Sequence, residues 1–184
     1  MKKLPLGIQT FRKTIEGDNV YVDKTGYIYN LITGASSYFL SRPGRFGKSL
    51  LLGTIGEAFG GDRELFKGLW IYDSGYSFPM HPVIKLDMSN IANDNAQILK
   101  NSLSDECNHL AKRAQIHISG NEPSDLFKRL IESLHEKNNQ KVVILIDEYD
   151  KPILDNITEI QTAPDMIIAQ QLLYRPDFFC LIRL

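Results

Sequence analysis

The stretch KVVILIDEYD, residues 141–150, runs five β-branched or leucine residues together at 142–146 and then turns at once to two carboxylates, Asp147 and Glu148. A strand with one wet face alternates apolar and polar side chains. An unbroken apolar run indicates a strand covered on both faces, as in a parallel sheet between helices. Working outward, SYFL (37–40), VIKLDMSN (83–90) and FFCLIRL (178–184) read as further buried strands, and 20–22 as a short one. Helical patterns fall at 24–32, 48–60, 93–116, from Glu122-Pro123 to about 138, and 162–174. In the third, Ile98, Leu103, Leu110 and Ala114 are the expected inward positions. In the fourth they are Leu126, Phe127, Leu130, Ile131 and Leu134, at the 3.6-residue period. Residues 64–82 read as an irregular connection with one helical turn. The alternation of strands and helices implies an open, mostly parallel α/β sheet.

The chain has 184 residues, 43% of them hydrophobic and 23% charged, enough for one domain with a proper core. A net charge of −1 gives no broad cationic surface for nucleic acid. Cys107 and Cys180 stand far apart, and His81, His109, His117 and His135 are scattered, which argues against a disulfide framework or a zinc site. The opening MKKLPLGIQTF lacks the apolar core of a signal peptide, and no run approaches the ~20 residues of a membrane helix. A cytoplasmic protein without membrane contact is the expectation.

The loop SRPGRFGKS, residues 41–49, ends like a phosphate-binding loop. Such a loop needs permissive backbone that lets amides curl around an anion, a helix starting there, a lysine for the phosphates and a hydroxyl for the metal. Gly44 and Gly47 supply the backbone, Lys48 the cation and Ser49 the hydroxyl. Gly44, Arg45, Phe46, Gly47, Lys48, Ser49 and Leu50 form the candidate cradle. Arg42 stands where the usual pattern has its first glycine, and Pro43-Gly44 offers another route for the turn. Taken alone, Gly-Lys-Ser suits a chance helix start as well. The carboxylates after residue 146 add the second half: Asp147 is the candidate Mg²⁺ holder and Glu148 the candidate general base. Their bland reading is a strand that ends in solvated acids. In a parallel sheet, however, the loop after Leu40 and the acids after Ile146 open on the same edge.

SRPGRFGKSL resembles the RPRRFGKS loop of the bacterial AAA-ATPase-like family, and VILIDEYDKPI resembles that family's acidic strand. LPLGIQTFRKTIEGDNVYVDKTGYIYNLI is similar to its opening segment, and LFKGLWIYD and HPVIKLDMS fit the stretches between. In that family arginine in place of the first loop glycine is usual; Gly44 stands where it often has arginine. The resemblance implies a P-loop NTPase three-layer sandwich with a mostly parallel sheet. It would comprise an N-terminal family segment, 1–34, and a nucleotide-binding core, 35–184. The resemblance also implies ATP binding and Mg²⁺-dependent hydrolysis, with Lys48 and Glu148 catalytic and Ser49 and Asp147 on the metal. Family members typically continue further, often into a nuclease-like domain, and 162–184 departs from the expected pattern, so a C-terminal truncation is expected. Two alternatives stay open. One is a non-catalytic remnant acting through association with a protein partner or its own copies. The other, by family analogy alone, is a nucleic-acid-associated module. No [DE]-x-K triplet of the nuclease type occurs in the chain.

Other groups have two readings each. Asp150 joins the metal shell, or else starts a helix or pairs with Lys151. Asp87 and Ser89 line the site, or form a strand-to-helix turn. Arg42 and Arg45 touch phosphate or pair with acids. Tyr21, Asp23 and Lys24 sit near the base, or pack the N-terminal segment. Trp70, Tyr72 and Tyr76 read as a packed connection and not a base-stacking platform. Arg175 and Arg183 are arginine-finger candidates by residue type only.

Overall fold

A computed structural model of the protein describes residues 2–8, 10–34, 37–40, 46–156 and 179–183, with the backbone alone for 37, 39 and 179–183. Strands β1 (Ser37–Phe39), β2 (Val83–Asp87), β3 (Val142–Asp147) and β4 (Phe179–Arg183) form one sheet in the order β1-β4-β3-β2. Every neighbouring pair is parallel. Around it lie helices α1 (Phe11–Glu16), α2 (Thr25–Thr33), α3 (Lys48–Phe59), α4 (Ala96–Arg113), α5 (Pro123–Asn138) and α6 (Lys151–Asp155).

The apolar run of β3 has the expected cause. All six of its residues are buried. Val142, Ile144 and Ile146 pack with Leu99, Leu103, Phe127 and Leu130 of α4 and α5. Val143 and Leu145 pack on the other side with Phe11, Leu52, Ile55 and Ala58 of α1 and α3. Each side chain in the run therefore leaves water, which favours folding by roughly 1.5–3 kcal/mol per large apolar residue. The mixed α/β architecture with a parallel sheet agrees with the sequence expectation.

The differences lie at element ends and in short elements. The strand expected over 83–90 stops at Asp87, whose carboxylate accepts hydrogen bonds from the Ser89 amide (3.0 Å), the Ser89 hydroxyl (2.6 Å) and the Asn90 side chain (2.7 Å). These turn the chain into a 3-10 turn, Met88–Asn90. The strand-to-helix reading of Asp87 and Ser89 therefore holds. α4 starts later than expected because Asn95 caps it, accepting the Ile98 amide at 2.9 Å. Gln115 in the left-handed region (φ 55) follows its end, with the Ile116 amide returning to the Ala111 carbonyl. Its buried row is Leu99, Leu103, Cys107 and Ala111; Leu110 and Ala114 only flank it. Residues 20–22 form no strand; an isolated bridge joins Lys3 and Asn19 instead. The unforeseen α1 is only 6 residues long, too short to show a period or to stand alone in water. Packing fixes it: Phe11 sits 5.1 Å from the Tyr21 ring and 4.9 Å from the Phe66 ring. Arg12 clamps Glu57 and Asp62, at 2.6 and 2.9 Å. The helix expected over 162–174 lies outside the described residues.

Candidate functional site

The sheet register brings the two halves of the motif to one level. Phe39 of β1 pairs with Arg183, and Arg183 with Ile146 of β3, so Leu40 and Asp147 leave the sheet in the same row. Two strand spacings, about 10 Å, separate them. Alternation along β3 carries Asp147 to the face of Val143 and Leu145, the face that α3 covers.

Gly47 precedes α3 with φ 76, a left-handed conformation that glycine adopts without strain, and among the described residues nothing lies within 4 Å of where its Cβ would be. The chain enters the helix there with open space over the backbone. Lys48 and Ser49 are its first two residues, with no acidic residue and no side-chain cap in the first turn. The positive end of the helix dipole is thus left unopposed by its own turn. Further down, Gly56 lets α3 approach β3, since a Cβ there would come within 3.2 Å of Leu145 Cδ1. Lys48 lies about 12 Å back along the helix from Gly56. Asp147 lies about 7 Å beyond Leu145. β1 delivers the chain at the C-terminal edge, and Leu40 and Lys48 line one cavity there, so both displacements point to that edge.

Asp147 is only 4% exposed. Its Oδ1 accepts the Glu148 amide at 3.1 Å, and among the described residues no cation or other donor reaches it. A buried carboxylate with so little compensation is costly unless something else meets it. Its neighbour in register, Asp87, differs in being fully occupied by Ser89 and Asn90. Glu148 is half-buried and takes φ 51, strained for a residue with a Cβ. The Lys151 amide donates to its carbonyl at 3.0 Å. Asp150 stands at the start of α6 without a side-chain cap bond. It does not pair with Lys151, whose ammonium goes to Asp155 at 2.6 and 2.7 Å, one helical turn on. Among the described residues no group of three His, Cys, Asp or Glu could hold a metal unaided.

Of the remaining cradle residues, Leu50 is half-buried against the α3-side core, and Phe46 is exposed. Gly44 and Arg45, with Arg42, fall outside the described residues, as does Arg175; Arg183 ends β4.

Asp23 belongs to packing. Its carboxylate accepts the Thr25 hydroxyl (2.6 Å), the Thr25 amide (2.8 Å) and the Trp70 amide (2.7 Å), tying the start of α2 to the 3-10 turn Trp70–Asp73. Partial burial pushes its pKa up, but the bonds from Thr25 and Trp70 together outweigh it and hold the carboxyl below its ordinary value. A lowered folded-state value means stability that is fully present above the ordinary carboxylate pKa and lost as pH falls through the lowered one. In urea titrations, Asp23→Asn is therefore less stable than wild type at pH 7, and the gap narrows at pH 3. A gap that ignores pH would contradict this role. Tyr21 likewise packs, edge-on to Phe11 and 3.4 Å from the Thr54 hydroxyl. Trp70 and Tyr76 meet Tyr29 edge-on, and Tyr72 lies under Arg63 at 4.4 Å, a packed connection as expected.

A cavity of about 580 Å³ adjoins Lys48, between α2 and the start of α3. Tyr27, Asn30 and Leu31 of α2 form one wall, and Phe46 and Gly47 part of the other. Sequence reasoning stopped at Lys24. The signal beyond it is a helical stripe, Lys24, Tyr27 and Leu31, at three- and four-residue spacing beside the buried Ile28. No helix among the described residues is long and apolar enough to cross a membrane.

The model of the AAA-ATPase-like family, described as a predicted AAA-ATPase, matches residues 5–181. An uncharacterized protein in the vnfD 5′ region of Azotobacter chroococcum mcd 1 is 42% identical over 166 residues, covering 90% of this chain and 32% of that protein. The chain thus spans about a third of the length of the curated relative it matches. No solved structure matches.

Proposed function

Because the chain belongs to the AAA-ATPase-like family, we propose that it binds ATP with Mg²⁺ and hydrolyses it in the cytoplasm. In this reading residues 1–184 make one P-loop domain, a three-layer sandwich with a variant Walker A loop at 42–49 and a Walker B strand at 142–148. The observation that carries the reading is Asp147: a buried, nearly unpartnered carboxylate on the α3 face, at the sheet edge where Gly47, Lys48 and Ser49 begin their helix.

The roles follow from the groups. The amides from Gly44 to Leu50 surround the phosphates, and Lys48 neutralises charge on the β- and γ-oxygens. Ser49 and Asp147 would hold Mg²⁺, which would supply charge neutralisation on the phosphate oxygens as ADP departs. Glu148 orients the attacking water and accepts its proton. The open backbone at Gly47 and the uncompensated Asp147 both suit this set.

Asp147→Asn tests the reading, since it keeps the shape and removes the charge. ATP binding without metal is retained, and the Mg²⁺ concentration needed for half-maximal turnover rises about ten- to a hundredfold. A protein in which Mg²⁺ changes neither binding nor turnover, with or without the substitution, contradicts it and favours a remnant that acts by association.

A further inference from the structure

The α2–α3 cavity contains groups that phosphate binding does not use. Its volume of about 580 Å³ lies within the range of small-molecule sites. Two of its lining residues are aromatic rings left in water, Tyr27 at 75% exposure and Phe46 at 61%. Asn30, also in the lining, is exposed, and its side-chain amide makes no hydrogen bond among the described residues, so it has both a donor and an acceptor to offer. Among the described residues the lining has no carboxylate, while Lys24 and Lys48 make it cationic. The lining thus offers flat rings, an amide and positive charge beside the apolar Leu31, Leu40 and Leu51.

A second cavity, of about 410 Å³, cannot share a ligand with Lys48. It lies at the opposite edge of the sheet, beside Pro82 and Val83 at the start of β2 and Arg113 and Lys137 at the far ends of α4 and α5. Among the described cavities, only the one between α2 and α3 opens onto the lysine.

We propose that this cavity seats the base and ribose of a nucleoside triphosphate, with Tyr27 and Phe46 offering ring faces to the base and Asn30 contacting its edge. The assignment rests on reading Lys48 as the phosphate cation, and it adds the residues that distinguish a nucleotide from a bare polyphosphate. A base stacks on a side-chain ring without regard to sequence-type recognition, so each ring contributes to nucleotide affinity and nothing to polyphosphate affinity.

The test titrates the full chain, in Mg²⁺, with ATP and with inorganic tripolyphosphate. Tyr27→Ala and Phe46→Ala each weaken ATP binding about tenfold, Tyr27→Ala leaves tripolyphosphate within about twofold of wild type, and Tyr27→Phe binds ATP like wild type. Both rings are exposed, so the variants keep the fold, which a thermal melt checks. Unchanged ATP affinity in both alanine variants overturns the assignment. So does an equal loss for ATP and tripolyphosphate in Tyr27→Ala, which would make that ring a support of the loop. Those failures leave the phosphate site standing. A wild-type protein that binds neither compound instead removes the phosphate reading, and this assignment with it.

Discussion

Glu148→Gln leaves Mg·ATP affinity near that of wild type and cuts turnover by about 10²- to 10⁴-fold. Glutamine matches the size of glutamate and keeps an acceptor oxygen, but it cannot take a proton from water. The local backbone makes the substitution clean. Glu148 sits at φ 51 immediately after β3, and its carbonyl is held by the Lys151 amide. Glutamine tolerates that conformation as glutamate does. Glycine would relieve the strain, so the persistence of a long acidic side chain there motivates a functional role. Single-turnover hydrolysis alongside equilibrium binding measures both halves of the prediction. Equal turnover in the two proteins would return Glu148 to the reading of a solvated strand end.

Lys48→Ala differs from Glu148→Gln in losing affinity as well as turnover. ATP affinity falls, turnover drops about 10²- to 10³-fold, and tripolyphosphate binding falls with them, because the lost contact is to phosphate. The fold should not suffer. Lys48 is the first residue of α3, it is only half-buried, and alanine is the best helix former. The turn into the helix belongs to Gly47, not to the lysine. This response to tripolyphosphate separates Lys48 from Tyr27, whose removal is expected to spare it. Retained binding of both compounds by Lys48→Ala would place the phosphate cation elsewhere.

The parts of the fold legible in sequence were those whose pattern is local. The run at 142–146 indicated a strand covered on both faces, which it is, and Leu126, Phe127, Leu130, Ile131 and Leu134 all proved buried along α5. Less legible was whatever depends on distant partners. The seating of β4 between β1 and β3 sets the row shared by Leu40 and Asp147, yet nothing in FCLIR names its neighbours. Helix α1 owes its existence to Phe66, Tyr21 and Glu57. Within the candidate site, Lys48, Ser49, Asp147 and Glu148 stood out because Gly-Lys-Ser after one apolar strand and two carboxylates after another form a motif for phosphate and metal. Tyr27 and Asn30 did not, since an exposed aromatic and an amide on a short helix look like ordinary surface until the cavity beside them is seen.

The most direct test is a crystal structure of the chain with Mg²⁺ and a non-hydrolysable ATP analogue. The account predicts one triphosphate contacted by the Lys48 ammonium, its metal bound by the Ser49 hydroxyl and held by the Asp147 carboxylate directly or through water. A nucleotide bound away from the start of α3, or a metal out of reach of Asp147, would contradict it.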